Sequence, residues 1–106
     1  MYPRPKTLRH LGQHKLLIAF EDGIRAELDF APLAQRGGLF EPLSNPDFFG
    51  RVTIDPEAES LVWPNGADIC PDVVYHLATG APLPGSLPFV PAKLIRADRA
   101  PSPAGT

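Results

Sequence analysis

The sequence predicts an α+β fold: a three-stranded antiparallel meander, a short middle helix, a second hairpin, and a C-terminal helix packed on the sheet. Three observations carry this. Ile24, Ala26, Leu28 and Phe30 alternate with Arg25, Glu27 and Asp29, a period of two that sends one face to a core and the other to water. The dipeptides Gly12-Gln13 and Asp22-Gly23 sit where tight turns between strands are needed. Cys70, Val73, Val74 and Leu77 recur at helical spacing, with Pro71 suited to the first helical position and Gly80 to a left-handed C-cap.

The remaining elements follow in order. Residues 7–11 and 15–20 are β-prone and predict a hairpin across Gly12-Gln13. The run Leu16, Leu17, Ile18, Ala19, Phe20 is apolar on both faces, which marks a central strand. Pro32 opens a short helix reaching about Gln35, with Asp29 as a nearby cap and Gly37-Gly38 as its stop. Phe40 and Leu43 are expected to plug the core, and Asn45-Pro46-Asp47 starts a turn or short helix carrying Phe48 and Phe49. Residues 51–55 and 60–63 form the second hairpin around the turn at 56–59, and Pro64-Asn65-Gly66 turns the chain again.

Proline marks a boundary. Six of the 14 prolines in this 106-residue chain fall after Gly80, so residues 1–80 read as one small domain. Residues 81–106 read as a proline-rich tail, extended or polyproline-like with local disorder. Within that tail, residues 89–96 are more apolar and more basic than their surroundings and are expected to dock on the acidic body or on a partner. Residues 1–80 hold seven Lys/Arg against eleven Asp/Glu, so direct, phosphate-driven nucleic-acid binding is not expected. No apolar run reaches the length of a membrane span, and the first residues lack the apolar stretch of a secretion signal, which makes the cytoplasm the expected compartment. The single cysteine, Cys70, makes no internal disulfide and no thiolate zinc site.

Phe20-Glu21-Asp22-Gly23, Leu28-Asp29, the Gly-Gly-Leu-Phe stretch at 37–40, and above all Trp63-Pro64-Asn65-Gly66-Ala67-Asp68-Ile69-Cys70-Pro71-Asp72 resemble the domain of unknown function family numbered 2442, over about residues 5–80. The resemblance implies a small bacterial α+β domain, sometimes fused to a helix-turn-helix and often encoded beside another short protein in pairs that look like toxin–antitoxin modules. It implies no catalytic residue. No helix-turn-helix follows Gly80, which argues against direct DNA binding here.

Several residues qualify as site candidates. The stretch 63–72 joins an aromatic anchor, Trp63, to a polar turn with Asn65 and Asp68 and then to a helix start, a combination suited to partner contact. The simpler explanation is structural throughout, with Trp63 filling the core, Asn65-Gly66 forming the turn and Asp68 capping the helix. His10 and His14 flank the first loop and are expected across from each other on paired strands, a weak two-imidazole metal site with no third ligand. His76 follows Asp72 by four residues, a spacing for a solvated helix pair. Cys70 near a helix start is a conceivable nucleophile, but His76 lies more than a turn away, and packing is the default.

The expected function is therefore a non-enzymatic protein-interaction module, antitoxin-like in a two-gene system, without cofactor. Its contact residues are Trp63, Asn65, Asp68, Phe89, Leu94 and Arg96. The expected partner is another small protein, encoded by the adjacent gene; self-association is left open. The alternatives are a transcription-related regulator acting through a partner, and a small metal-dependent or thiol enzyme using His10, His14 or Cys70.

Overall fold

In the computed structural model, which describes residues 2–83 and 90–99, the chain builds two antiparallel sheets with helices between and beside them. Strands β1 (Pro5–Gly12), β2 (Lys15–Phe20) and β3 (Ile24–Asp29) form the expected meander. Helices α1 (Ala31–Ala34) and α2 (Pro46–Phe49) flank a 3-10 segment at Gly38–Ser44. Short strands β4 (Thr53–Ile54), β5 (Leu61–Val62) and β6 (Asp68–Ile69) make a second sheet in that order. Helix α3 (Pro71–Thr79) follows, and β7 (Lys93–Arg99) completes the first sheet in the order β1-β2-β3-β7.

The local chemistry explains the elements. Lys15–Phe20 buries Leu16, Ile18 and Phe20 completely or nearly so, while Leu17 and Ala19 stay half-buried on the other face. On β3 the expected alternation is realised: Ala26, Leu28 and the following Phe30 are buried, and Arg25, Glu27 and Asp29 face outward. Pro71 opens α3, and Gly80 closes it with φ of 78°, a left-handed conformation that costs glycine little. Asn45 caps α2 by accepting a hydrogen bond from the Asp47 amide at 2.9 Å.

Three expectations need correction. The first loop is not Gly12-Gln13: Gly12 pairs with Lys15 after an irregularity in the ladder, so Gln13 and His14 make the turn and His10 pairs with Leu16 rather than facing His14. Asp68 does not cap α3; Cys70 occupies the cap position and makes no side-chain cap bond. Residues 93–99, expected as extended tail, are a strand of seven residues paired along β3, so the meander belongs to a four-stranded sheet. The proline content of the segment before them concealed a run whose charges complement β3.

The core lies between the inner face of the large sheet and the remaining elements. Leu33, Leu43, Phe49, Leu61, Trp63, Val74 and Ala78 close over Leu16, Ile18, Leu28 and Phe30. Phe49 sits at its centre, with its ring centroid between 5.1 and 5.9 Å from those of Phe30, Trp63, His10 and His14. Burial of each large side chain stabilises the fold by about 1.5–3 kcal/mol. Among the described residues, no buried side-chain nitrogen or oxygen lacks a hydrogen-bond partner.

Candidate functional site

The feature that stands apart from the core is β7. Its two ends are fixed: the Leu33 amide donates to the Pro91 carbonyl at 3.1 Å with Pro91 and Ala92 buried, and Arg99 Nη1 donates to the Asp22 carbonyl at 2.6 Å. Between these anchors every residue from Lys93 to Arg99 is exposed. The strand is held along β3 by ladder bonds and by two ion pairs on the outer sheet face. Arg25 binds Asp98 through Nε at 3.1 Å and Nη2 at 3.3 Å, and Arg96 Nε binds Glu27 at 3.1 Å. A bulge places both Leu94 and Ile95 opposite Leu28, and these side chains remain 47% and 45% exposed. Among the described residues, no strand pairs with the outer side of β7.

The outer face of the sheet is open next to this edge. Leu17, Arg25, Glu27, Arg96 and Asp98 line a shallow concavity of about 530 Å³ with Leu11 at its far side. The two ion pairs lie side by side across β3 and β7, in opposite order, and Leu17 and Leu11 on β2 and β1 continue the surface. It is an open concavity of the sheet face and not an enclosed cavity.

The second candidate surface is divided by the fold. Trp63 is only 2% exposed, and its indole Nε1 donates to the Phe49 carbonyl at 2.9 Å, so the side chain belongs to the core. Asn65 is exposed but occupied: its Nδ2 donates to the Leu39 carbonyl and its Oδ1 accepts from the Ala67 amide, which together with Gly66 at φ 90° forms the turn. Asp68 is exposed beside it. Leu39, whose carbonyl accepts that bond from Asn65, has a side chain 55% exposed. Leu94 and Arg96 lie on β7, far along the chain from this turn, and Phe89 lies outside the described residues.

The histidines are engaged by backbone carbonyls, whereas the cysteine, expected to pack like a small hydrophobe, is exposed because it stands outside the first turn of α3. His10 Nε2 donates to the Gln13 carbonyl, His14 Nε2 to the Leu43 carbonyl, and both rings stand edge-on to Phe49. Neither nitrogen is directed to a shared point, and among the described residues no group of three or more His, Cys, Asp or Glu could hold a metal ion. His76 does not pair with Asp72; its Nδ1 donates to the Ala81 carbonyl, while Asp72 faces Arg4 at 3.4 Å. Cys70 is exposed at the N-terminal end of α3, at the opposite end from the His76 bond.

A polar cluster that the sequence did not reveal surrounds Asp22. Its Oδ1 accepts from the Ile24 amide and its Oδ2 from the Tyr75 hydroxyl at 2.7 Å, and Tyr2 stacks on Tyr75. The hydrogen bond to Asp22, followed by partial burial and the negative charge of Asp22, holds the Tyr75 phenol above its ordinary range. The cluster ties the β2–β3 turn to α3 and to the end of β7.

One signal would have exposed β7. Residues 25–27 read Arg-Ala-Glu and residues 96–98 read Arg-Ala-Asp, so an antiparallel pairing sets each arginine against an acid. No helix among the described residues is long and apolar enough to cross a membrane. No curated protein and no solved structure matches the chain significantly. A family model does, over residues 5–80, which cover the meander, the second sheet and α3: the chain belongs to the family described as "Protein of unknown function (DUF2442)".

Proposed function

We propose that this protein is a non-enzymatic protein-interaction module whose contact surface is β7 and the open sheet face beside it. The observation that carries the reading is a seven-residue edge strand, anchored at both ends yet exposed along its whole length. Edge strands present unpaired amides and carbonyls, which is the basis of strand addition by a partner. Leu94 and Ile95 add apolar surface on one side, and Arg96 and Asp98 add charge on the other. The engagement of His10, His14 and His76 with backbone carbonyls supports a non-catalytic reading. The finer assignment, an antitoxin-like member of a two-gene system bound by a small neighbour-encoded protein, rests on the family resemblance.

The test is quantitative affinity purification from the native host, comparing the wild-type chain with Leu94→Glu combined with Ile95→Glu. The reading expects a stoichiometric small protein with the wild type and its loss with the variant, whose fold is checked by circular dichroism. Retention of the partner by a folded variant removes β7 as its contact surface, and the absence of any captured protein removes the antitoxin-like reading with a neighbour-encoded partner.

A further inference from the structure

We infer that β7 pairs with β7 of a second copy of this chain, antiparallel about Ala97, so that two four-stranded sheets join into one. The inference rests on the reading of β7 as a contact edge and names its occupant. Its basis is a pairing the molecule already makes. In the β3–β7 ladder Arg25 stands opposite Asp98, Ala26 opposite Ala97, and Glu27 opposite Arg96, with both ion pairs at 3.1 Å. A triplet of basic residue, alanine and acid, run antiparallel to another of the same order, satisfies every charge.

The triplet Arg96-Ala97-Asp98 is therefore complementary to itself. A second β7 laid against the open side of the first meets it as β7 meets β3: Arg96 opposite Asp98 of the second copy, Ala97 opposite Ala97, Asp98 opposite Arg96. The outer face then carries an unbroken alternation across the seam, Glu27, Arg96, then Asp98 and Arg25 of the second copy. The side chains can reach across, since Arg96 remains 82% and Asp98 66% exposed while bound to their partners on β3. Moving the two-fold axis by one residue in either direction sets Arg96 against Arg96 or Asp98 against Asp98, so charge selects the register. Charged edge residues deter indiscriminate strand pairing and admit a partner of matching order. The overlap spans residues 95–99 on each strand, a short seam that places the dimer in the weak, micromolar class.

The decisive experiment uses the full chain in analytical ultracentrifugation up to about 100 µM, with Arg96→Asp and Asp98→Arg as single variants, alone and mixed. The pairing expects a wild-type dimer. Each variant alone sets like charges together twice and weakens the dimer by about tenfold or more. In the mixture the Asp introduced at 96 of one chain meets the Arg introduced at 98 of the other, while the unchanged Asp98 and Arg96 meet each other, so dimerisation between the two variants is restored. Register is read separately in a Cys70→Ser chain carrying Ala97→Cys, which oxidises to a cross-linked dimer because directly opposed strand residues lie within disulfide reach. A wild-type chain that stays monomeric, or variants that dimerise as well alone as mixed, overturns self-pairing. Neither result touches a heterologous partner on β7, which the affinity comparison with Leu94→Glu and Ile95→Glu judges independently.

Discussion

The indole of Trp63 donates its N–H to the carbonyl of Phe49 at 2.9 Å, and the two rings lie 5.7 Å apart in the centre of the core. The bond joins the second sheet to α2 and satisfies a carbonyl that ends a four-residue helix. Trp63→Phe keeps an aromatic ring but leaves the Phe49 carbonyl with only the longer bond from the Val52 amide at 3.3 Å, and should cost about 1 kcal/mol. Trp63→Ala also opens a cavity and should cost about 3–5 kcal/mol. Urea denaturation of both variants measures the costs; a Trp63→Phe chain as stable as the wild type would mean that the hydrogen bond contributes nothing, and equal losses in the two variants would mean that the ring itself does not.

Gly50 is required by contact and not by backbone conformation. Its φ of −67° is open to any residue, but a Cβ there would lie 2.5 Å from His10 Nδ1, and the imidazole is held by the Gln13 carbonyl and Phe49. Gly50→Ala should destabilise by about 1–3 kcal/mol. Adding His10→Ala removes the obstruction, so the two changes together should cost less than their sum in a double-mutant cycle. Strict additivity would show that the clash is not the cause.

Tyr75 couples α3 to the β2–β3 turn through Asp22. The neutral phenol donates to the carboxylate, so its proton is held more tightly in the folded chain than in the unfolded one. The contribution is fully present below the unfolded value of about 10 and is lost as pH rises through the higher folded value. Thermal midpoints should fall more steeply for the wild type than for Tyr75→Phe between about pH 9 and 11. Parallel curves would rule out a stabilising role for the hydrogen bond.

The chain beyond Gly80 should be part of the stable domain. Truncation there removes six paired positions from β3, exposes the edge of Ala26 and Leu28, and takes Ala92 out of the core. At the usual net contribution per hydrogen bond, the loss is on the order of 3 kcal/mol or more. A truncated chain that melts with the full-length protein would contradict this.

Much of the architecture was legible because local rules and packing agreed. Ile24–Asp29 showed its period of two, and α3 showed Pro71 and Gly80 at its ends. The loop before β2 was misplaced by one residue because Gln13 accepts φ of 51° and a bulge absorbs the slip, neither of which alternation encodes. Trp63 read as a contact anchor or, more simply, as core, and its burial with the bond to the distant Phe49 carbonyl distinguishes them. β7 escaped because an edge strand buries none of its own side chains, so hydropathy carries no signal. Its mark was a charge order matching residues far away along the chain, and long-range pairing of that kind is invisible to a local window.

β7 is at once a structural strand and, among the described residues, an edge with no strand on its outer side. Amide hydrogen exchange at Lys93–Arg99, followed by NMR in the free chain and at rising protein concentration, tests both halves together. Amides directed at β3 should exchange slowly and those directed outward quickly, with the outward set slowing as copies pair. Uniformly fast exchange across residues 93–99 would contradict the strand, and an outward set unaffected by concentration or by the captured partner would contradict the contact edge.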